Sequence, residues 1–378
     1  MKILIIGMSS NPGGIESYIM SVFRSLRDDK DIFFYFLSDS GKNIAYFDEI
    51  ISNNGKIIDI KKPKMEKHLS ELLWKVQVLN SNSFDIIHVN ALTAGNIDWI
   101  RLASVYKKHI KLIIHSHNSN SPLIKNNKTF SIKNWIWNRN KIWLDRHPNV
   151  IKLAASKEAG QWMFGTSENV NIIPNSIDVD KFLWSKDKYL CYRDELHFSL
   201  DEKIILVPSR IAEQKNYSKI LSIFKSIITN QPGFRLVIAG GGNQKQVTWL
   251  LNTIADMKLN NSVCYLGVRN DMHKIMIASD IMLMPSLYEG LGISALESQA
   301  AGLRTYLSKG VIPSEVKVSR AATFVPLSDS SKEWAELIIK DSESILDRKQ
   351  CNMSVSKSMY SIDNLLKKMQ SVYYGKRG

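Results

Sequence analysis

Short runs rich in β-branched and aromatic residues recur along the chain and alternate with segments of helical spacing. Met1–Gly7, Phe33–Leu37, Lys56–Ile60, Phe84–Val89, Lys111–His115, Val150–Ser156 and Val170–Ile173 form one series. Lys203–Pro208, Phe234–Ala239, Val263–Gly267, Asp280–Pro285, Leu303–Leu307 and Ala322–Val325 form a second. Strands that alternate with helices are joined by crossovers, which predicts parallel sheets covered on both faces. In such α/β sheets function gathers beyond the carboxyl ends of the strands. A chain of 378 residues has room for two such domains, each with its own core.

Composition narrows the class. With 44% hydrophobic and 23% charged residues the chain is globular, and no apolar run approaches the roughly 18 to 20 residues of a membrane span. The apolar core of Met1–Gly7 is too short for a secretion signal and reads as a first buried strand. Cys191, Cys264 and Cys351 lack metal or redox spacing, which suits a reduced cytoplasm. The formal charge of +14 calls for anionic partners. The basic residues are spread over both halves and no nucleic-acid motif is present, so nucleic acid ranks behind phosphorylated substrates and an anionic membrane surface.

Pro285–Ala300 is the most constrained stretch. A strand precedes it, and Ile293, Leu296 and Ala300 follow at near-helical spacing. Gly290 and Gly292 lie in the turn between, where amide groups of the turn and helix start point at an anion. Glu289 and Glu297 bracket the turn. Carboxylates repel phosphate, so these two suit sugar or ribose hydroxyls. Upstream, Arg210 and Lys215 follow another strand and precede a helix, placed to converge on one diphosphate. Gly240–Gly242 read either as a phosphate turn or as a structural one.

The N-terminal half holds a glycine loop, Ser9–Glu16, before a helix predicted over Ser17–Leu26. Its spacing from Gly7 is not the dinucleotide fingerprint. Gly13 and Gly14 leave room for a substrate, and a tight turn needing positive φ fits them equally. Ile114–Asn118 ends a strand in polar residues, with His115 and His117 pointing the same way. His88, at another strand end, reads as structural. Lys125–Arg146 packs Trp135, Trp137 and Trp143 with six basic residues and one acid. Such a segment suits a bilayer interface, or a helix packed by its tryptophans with a solvated basic face. Leu183–Asp201 is polar and charged, as a linker would be.

The run Tyr288–Glu297 after Ala278–Ser286 resembles the Glu-x7-Glu signature of retaining glycosyltransferases of family 4, which have the GT-B fold. Gly13-Gly14-Ile15-Glu16, the His117-Asn118 step, Pro174–Asp178 and Arg210 with Lys215 resemble further motifs of that family. Ser176 and Ser209 stand where its glycines are frequent. The resemblance implies two Rossmann-like parallel-sheet domains facing a central cleft. The acceptor domain would be 1–182, with a helix in 360–378 packing back on it, and the donor domain 183–359. It implies that Arg210 and Lys215, with amides near Gly13, Gly14, Leu291 and Gly292, steady a leaving diphosphate. Glu289 beside Gly290 would orient the transferred sugar, Glu297 the ribose, and the backbone of Val268 and Arg269 the base. His117, or His115 beside it, would face the sugar, with Glu16, His115 and Asn118 on the acceptor side. Asp178 and Asp180 have the spacing of a metal-binding pair, but the resemblance places them in a linker that binds no metal. No cofactor is expected. The implied donor is a UDP-hexose and the implied acceptor a lipid-diphosphate-linked saccharide of exopolysaccharide or capsule synthesis, with the enzyme cytoplasmic and peripheral on the inner membrane face. A GT-B UDP-sugar epimerase or hydrolase, and a non-catalytic nucleotide-sugar or anionic-membrane binding protein, are the alternatives.

Overall fold

The computed structural model describes residues 1–38, 44–60, 68–95, 97–106, 109–118 and 132–375, of which 68, 132 and 133 by backbone alone. The chain divides into two compact units, Met1–Ser176 with Ile362–Gly378, and Ile177–Ser361. The N-terminal unit runs β1 (Lys2–Ile6), α1 (Gly14–Leu26), β2 (Phe33–Leu37), α2 (Phe47–Ser52), β3 (Lys56–Ile58), α3 (His68–Asn80), β4 (Ile86–Ala91), α4 (Asp98–Tyr106), β5 (Lys111–Ser116), α5 (Ile132–Asp145), β6 (Val150–Ala154), α6 (Lys157–Phe164) and β7 (Asn171–Ile172). Among the described residues its parallel sheet has the order β3-β2-β1-β4-β5-β6-β7.

The C-terminal unit runs α7 (Lys186–Glu195), β8 (Lys203–Val207), α8 (Tyr217–Asn230), β9 (Phe234–Ala239), α9 (Gln244–Asp256), β10 (Val263–Gly267), α10 (Met272–Ala278), β11 (Ile281–Met284), α11 (Ile293–Ala300), β12 (Arg304–Ser308), β13 (Ala322–Val325), α12 (Ser331–Ser342) and α13 (Arg348–Ser356). Its sheet is also parallel, in the order β10-β9-β8-β11-β12-β13. The last helix, α14 (Ile362–Tyr374), groups with the N-terminal unit.

Strand alternation explains the layers. Ile3 and Ile5 join α1 and α14 in one apolar cluster, while Leu4 and Ile6 join α3, α4 and α6 in another. In the C-terminal unit Ile205 and Val207 meet α8, α9 and α12, whereas Ile204 and Leu206 meet α10, α11 and α13. Side chains of a strand point to opposite faces in turn, so a run that is apolar throughout builds a core on each side. Helix α1 answers with Tyr18, Ile19, Val22, Phe23 and Leu26 on one buried stripe.

Each sheet reverses direction once. The chain lays β2 and β3 on one side of β1, then returns to place β4 on the other; β8 to β11 repeat the move. The crevice beyond the carboxyl ends at such a reversal is where open α/β sheets take ligands.

Several expectations shift. Ile177, Val179 and Phe182 pack in the C-terminal core, so the division falls at Ser176 rather than at 182. Leu183–Asp201 is not a linker, because it contains α7, whose Ser185 side chain accepts from the Lys188 amide. The buried Arg193 holds it in place, donating to Ala278 O at 2.9 Å and Glu202 O at 2.7 Å and pairing with Asp280. Helix α1 begins at Gly14, three residues before the expected Ser17, so Gly14 and Glu16 belong to its first turn. His88 lies inside β4 rather than at its end. In Lys125–Arg146, residues 125–131 lie outside the described set. Trp137 packs edge-on against Trp162 and Trp143 lies against the core, while Trp135 is exposed beside Arg139.

Helix α14 buries Leu365, Met369 and Tyr373 in the N-terminal core. Tyr373 Oη bonds His88 Nδ1 at 2.9 Å, and Lys111 Nζ donates to the carbonyls of Val372 and Tyr373, a cation at a helix C-terminus. Replacing Tyr373 by Phe leaves the buried His88 ring without that partner. The expected loss is about 1–3 kcal/mol, read as a lowered Tm with the fold retained by circular dichroism.

Candidate functional site

In the C-terminal unit the functional loops leave β8 and β11, neighbours across the sheet reversal. Three bonds lace them together. Leu287 N donates to Gln214 O at 2.8 Å, Gln214 Nε2 to Tyr288 O at 2.8 Å, and Asn216 Nδ2 to Pro285 O at 3.1 Å. Lys215 and Glu289 are thereby held together as an ion pair, with side chains only 14% and 7% exposed. Lys215 Nζ and Ser286 Oγ, the latter at 2.8 Å, both donate to Glu289 Oε1. Two charges so far from water support each other, and losing either leaves the other buried alone.

Beside the pair opens a cavity of about 600 Å³, lined by Ser209, Arg210, Gly240–Gly242, Val268, Arg269 and Met272 among others. Arg210 is an exposed cation on its wall. Arg269 donates to Asp271 through Nε and Nη2, at 2.8 and 2.6 Å. The glycines have packing reasons: a Cβ at Gly240 would lie 2.0 Å from Ser209 O, and one at Gly241 2.7 Å from Val268 Cγ2. The glycine turn thus draws the β8, β9 and β10 loops together around the cavity.

Gly292 caps α11 with φ +75, a left-handed conformation that favours glycine. Leu291 packs against the core. Gly290 borders open space, and the fold itself does not require glycine there. One turn into α11, burial pushes the Glu297 carboxyl up to about 7. No group among the described residues donates to that carboxylate, so hydroxyls of a ligand would find both its oxygens free.

The N-terminal unit gathers its polar groups at the ends of β1, β4 and β5. Gly7, at φ +113, lies so close to Asn90 that a Cβ would sit 2.5 Å from the Asn90 carbonyl. Asn90 Nδ2 donates to Ile6 O at 3.3 Å, which turns Oδ1 toward His117 Nε2 at 2.8 Å. That oxygen only accepts, so Nε2 carries the hydrogen and Nδ1 of the neutral ring is bare. The His115 ring lies 4.1 Å from that of His117, tilted by 32°, meets Tyr18 edge-on, and stacks on His88 at 5.8 Å. Burial drives His88 and His117 down to about 3, the latter helped by His88. His115 lies well below its ordinary value through burial, then through His117 and His88.

Residues 192–353 match the family model described as glycosyl transferases group 1. Bacillus subtilis EpsF, named as a glycosyltransferase, is 25% identical over 90% of this chain and 87% of its own. An Escherichia coli protein named UDP-Gal:alpha-D-GlcNAc-diphosphoundecaprenol alpha-1,3-galactosyltransferase is 24% identical over 78% of this chain and 76% of its own. The chain is a glycosyltransferase. Its fold matches Anabaena Alr3699/HepE, solved in complex with UDP, with TM-score 0.76 over 99% of this chain and 100% of that one at 17% identity. The architecture of the glycosyltransferase is GT-B, two Rossmann-like parallel-sheet domains.

Within the glycosyltransferase, Arg210, Val268 and Arg269 share the cavity, and Lys215 and Glu289 share the adjoining pair. His117 belongs to the N-terminal unit, with Asn118, half-buried, next to it. His115 is wholly buried under Tyr18 and His117, which removes it from contact with an acceptor and leaves His117 as the outer histidine. Gly13 and Gly14 do not have the positive φ that a tight turn would need. At Gly13 the space is taken by Glu16 itself, whose Oε2 would lie 2.8 Å from a Cβ, while its Oε1 accepts from Ser9 N. Glu16 therefore braces the loop and is nearly buried rather than presented to an acceptor. Asp178 pairs with Lys181 at 3.3 Å and Asp180 is exposed in the next turn. Asn90, Ser286 and Gln214 escaped notice in the sequence. Only Asn90 carried a signal, a polar residue near the carboxyl end of a strand.

The two sets of shifted groups give stability opposite pH signs. A histidine lowered on folding stabilises above its unfolded pKa of about 6.5, and that stability is lost as pH falls toward 3. Glu297, raised on folding, contributes stability below its unfolded pKa that is lost as pH rises through about 7. The Tm of Glu297→Gln should therefore gain on that of the parent as pH rises through about 7. A gap that is constant with pH would remove burial of Glu297 as the cause.

Proposed function

We propose that this glycosyltransferase is a retaining enzyme of family 4 that moves a hexose from a UDP-sugar to a lipid-diphosphate-linked saccharide in the synthesis of a cell-surface polysaccharide. The observation that carries the reading is the meeting of Lys215 and Glu289 at the sheet reversal, beside a cavity walled by Arg210 and the glycine turn. The UDP in the Anabaena neighbour and the printed donor and acceptor of the Escherichia coli relative support the substrate classes.

On this reading the cavity takes the nucleotide. Arg210 and Lys215, with the amides at Leu291 and Gly292, hold the diphosphate and stabilise charge as it leaves, the part a divalent metal plays elsewhere. Glu289 accepts from hydroxyls of the transferred sugar, Glu297 from the ribose diol, and backbone groups of Val268 and Arg269 meet the base. His117 is the residue offered to the sugar from the N-terminal unit. The acceptor attacks from the leaving-group side and its proton passes to the diphosphate oxygen, so no protein base is assigned. Asp178 and Asp180 take no part in catalysis. The enzyme works without a cofactor, at the cytoplasmic face of the membrane that holds its acceptor.

Release of UDP from a panel of UDP- and GDP-hexoses, with EDTA present, is the direct test. Turnover of one UDP-hexose is expected under EDTA. Glu289→Ala should lower that turnover by about 10²–10³-fold while UDP binding, followed by calorimetry, stays within a few-fold of the parent. Turnover that appears only with Mg²⁺ or Mn²⁺ would return Asp178 and Asp180 as ligands and overturn the site.

A further inference from the structure

We propose that Ser286 is a positioning residue of the donor site, holding the Glu289 carboxylate toward the transferred sugar while the diphosphate occupies Lys215. The inference rests on the proposed donor chemistry and gives part of it to a side chain that itself touches no substrate. Its observations all lie in the C-terminal unit.

The backbone around Ser286 is pinned from two sides. Pro285 O accepts from Asn216 Nδ2 at 3.1 Å, and Leu287 N donates to Gln214 O at 2.8 Å, both in the loop that follows β8. Between them, Ser286 O accepts at 2.8 Å from the hydroxyl of Ser308, the last residue of the neighbouring strand β12. Ser286 itself is wholly buried.

The hydroxyl has a single partner. Among the described residues Ser286 Oγ bonds only Glu289 Oε1, at 2.8 Å. Alanine has nearly the same shape, so packing alone does not call for the oxygen. The carboxylate does.

Donors to Glu289 are distributed unevenly. Lys215 Nζ and Ser286 Oγ both reach Oε1, and no described residue donates to Oε2. An ionised carboxylate accepts at both oxygens. Oε2 is therefore the oxygen left for hydroxyls of a sugar. Lys215 in turn gives one of its ammonium hydrogens to Oε1, and the others remain for phosphate oxygens.

Bound donor separates the two partners of Oε1. A diphosphate draws the ammonium toward itself, and lysine is a point charge on a flexible stem, free to follow. The serine oxygen hangs one rotatable bond from a pinned backbone and cannot follow. It keeps Oε1 in place, so Oε2 stays aimed at the sugar, where orientation counts toward rate. A carboxylate free to turn would meet the sugar with either oxygen and discriminate its hydroxyls less sharply.

Release of UDP from the UDP-hexose that the parent turns over, and from its monodeoxy analogues, tests the role. Ser286→Ala should lower kcat by about 10- to 100-fold, with KM and calorimetric UDP affinity within a few-fold of the parent. Retained UDP affinity also shows that the variant folds. Removing the sugar hydroxyl that Glu289 accepts should cost the parent several-fold more turnover than it costs Ser286→Ala. On a Glu289→Ala background, Ser286→Ala should cost nothing further, because the serine acts through that carboxylate. Equal turnover by parent and Ser286→Ala would overturn the role. So would a serine loss that persists in full without Glu289, or an equal penalty for the missing hydroxyl in parent and variant. A parent that turns over no sugar nucleotide would sink the donor chemistry and this role with it, whereas sound parent turnover with an additive cycle sinks the role alone.

Discussion

A parallel sheet buried on both faces gives polar side chains no route to water except beyond the ends of its strands. That constraint shapes both units of this enzyme. Residues of β1 and β8 alternate between two cores, and neither face has room for a substrate. Chemistry is therefore displaced to the loops, and the sheet reversal decides which loops become neighbours. Arg210 and Lys215 leave one strand, Glu289 and Gly292 the strand beside it, although 74 positions separate Lys215 from Glu289. The N-terminal unit repeats the geometry with a different cast, in which Gly7, Asn90 and His117 meet at the ends of β1, β4 and β5.

Where polar groups do remain inside, their protonation states are settled by desolvation. The rings of His88, His115 and His117 pack in a row flanked by Tyr18 and by Tyr373 of the last helix. No carboxylate pairs with these rings among the described residues, so the neutral form is the one that burial favours. Asn90 then decides which nitrogen of His117 keeps its hydrogen. The row of rings runs without a break from Tyr373 on α14 to His117. Glu297 is the converse case, a carboxyl whose charged form lacks protein donors and becomes favourable when a ligand provides them.

Most of the architecture was legible because periodicity is a local property. Strand runs and their crossovers could be read one segment at a time, and so could the turn that leads into α11. What escaped notice was whatever depends on tertiary partners. Arg193 lies in a stretch that reads as solvated linker, yet the carbonyls of Ala278 and of Ser199 and Glu202 in one turn, with the Asp280 carboxylate, hold it inside. Glu16 sits in a motif read as facing an acceptor, and only the folded loop shows its carboxylate filling the space left by Gly13. His115 and His117 are equivalent on a strand of period two. Only the fold separates them: Tyr18, almost a hundred positions upstream, packs against both rings, yet His115 is wholly buried and His117 half-buried.

The pairing of Lys215 with Glu289 bears on how the proposed donor would be received. A buried lysine and a buried glutamate each need a counter-charge, and in the free enzyme they supply it to one another. A diphosphate brings two negative groups close to Arg210 and competes for the lysine. Hydroxyls of the attached sugar bring donors that compete for the glutamate. A nucleoside diphosphate without its sugar satisfies only the first of these demands and would leave Glu289 buried with Ser286 as its remaining donor. The intact sugar nucleotide satisfies both. On the proposed reading the pair would favour the complete donor over its product, and would loosen the nucleotide once the sugar has gone.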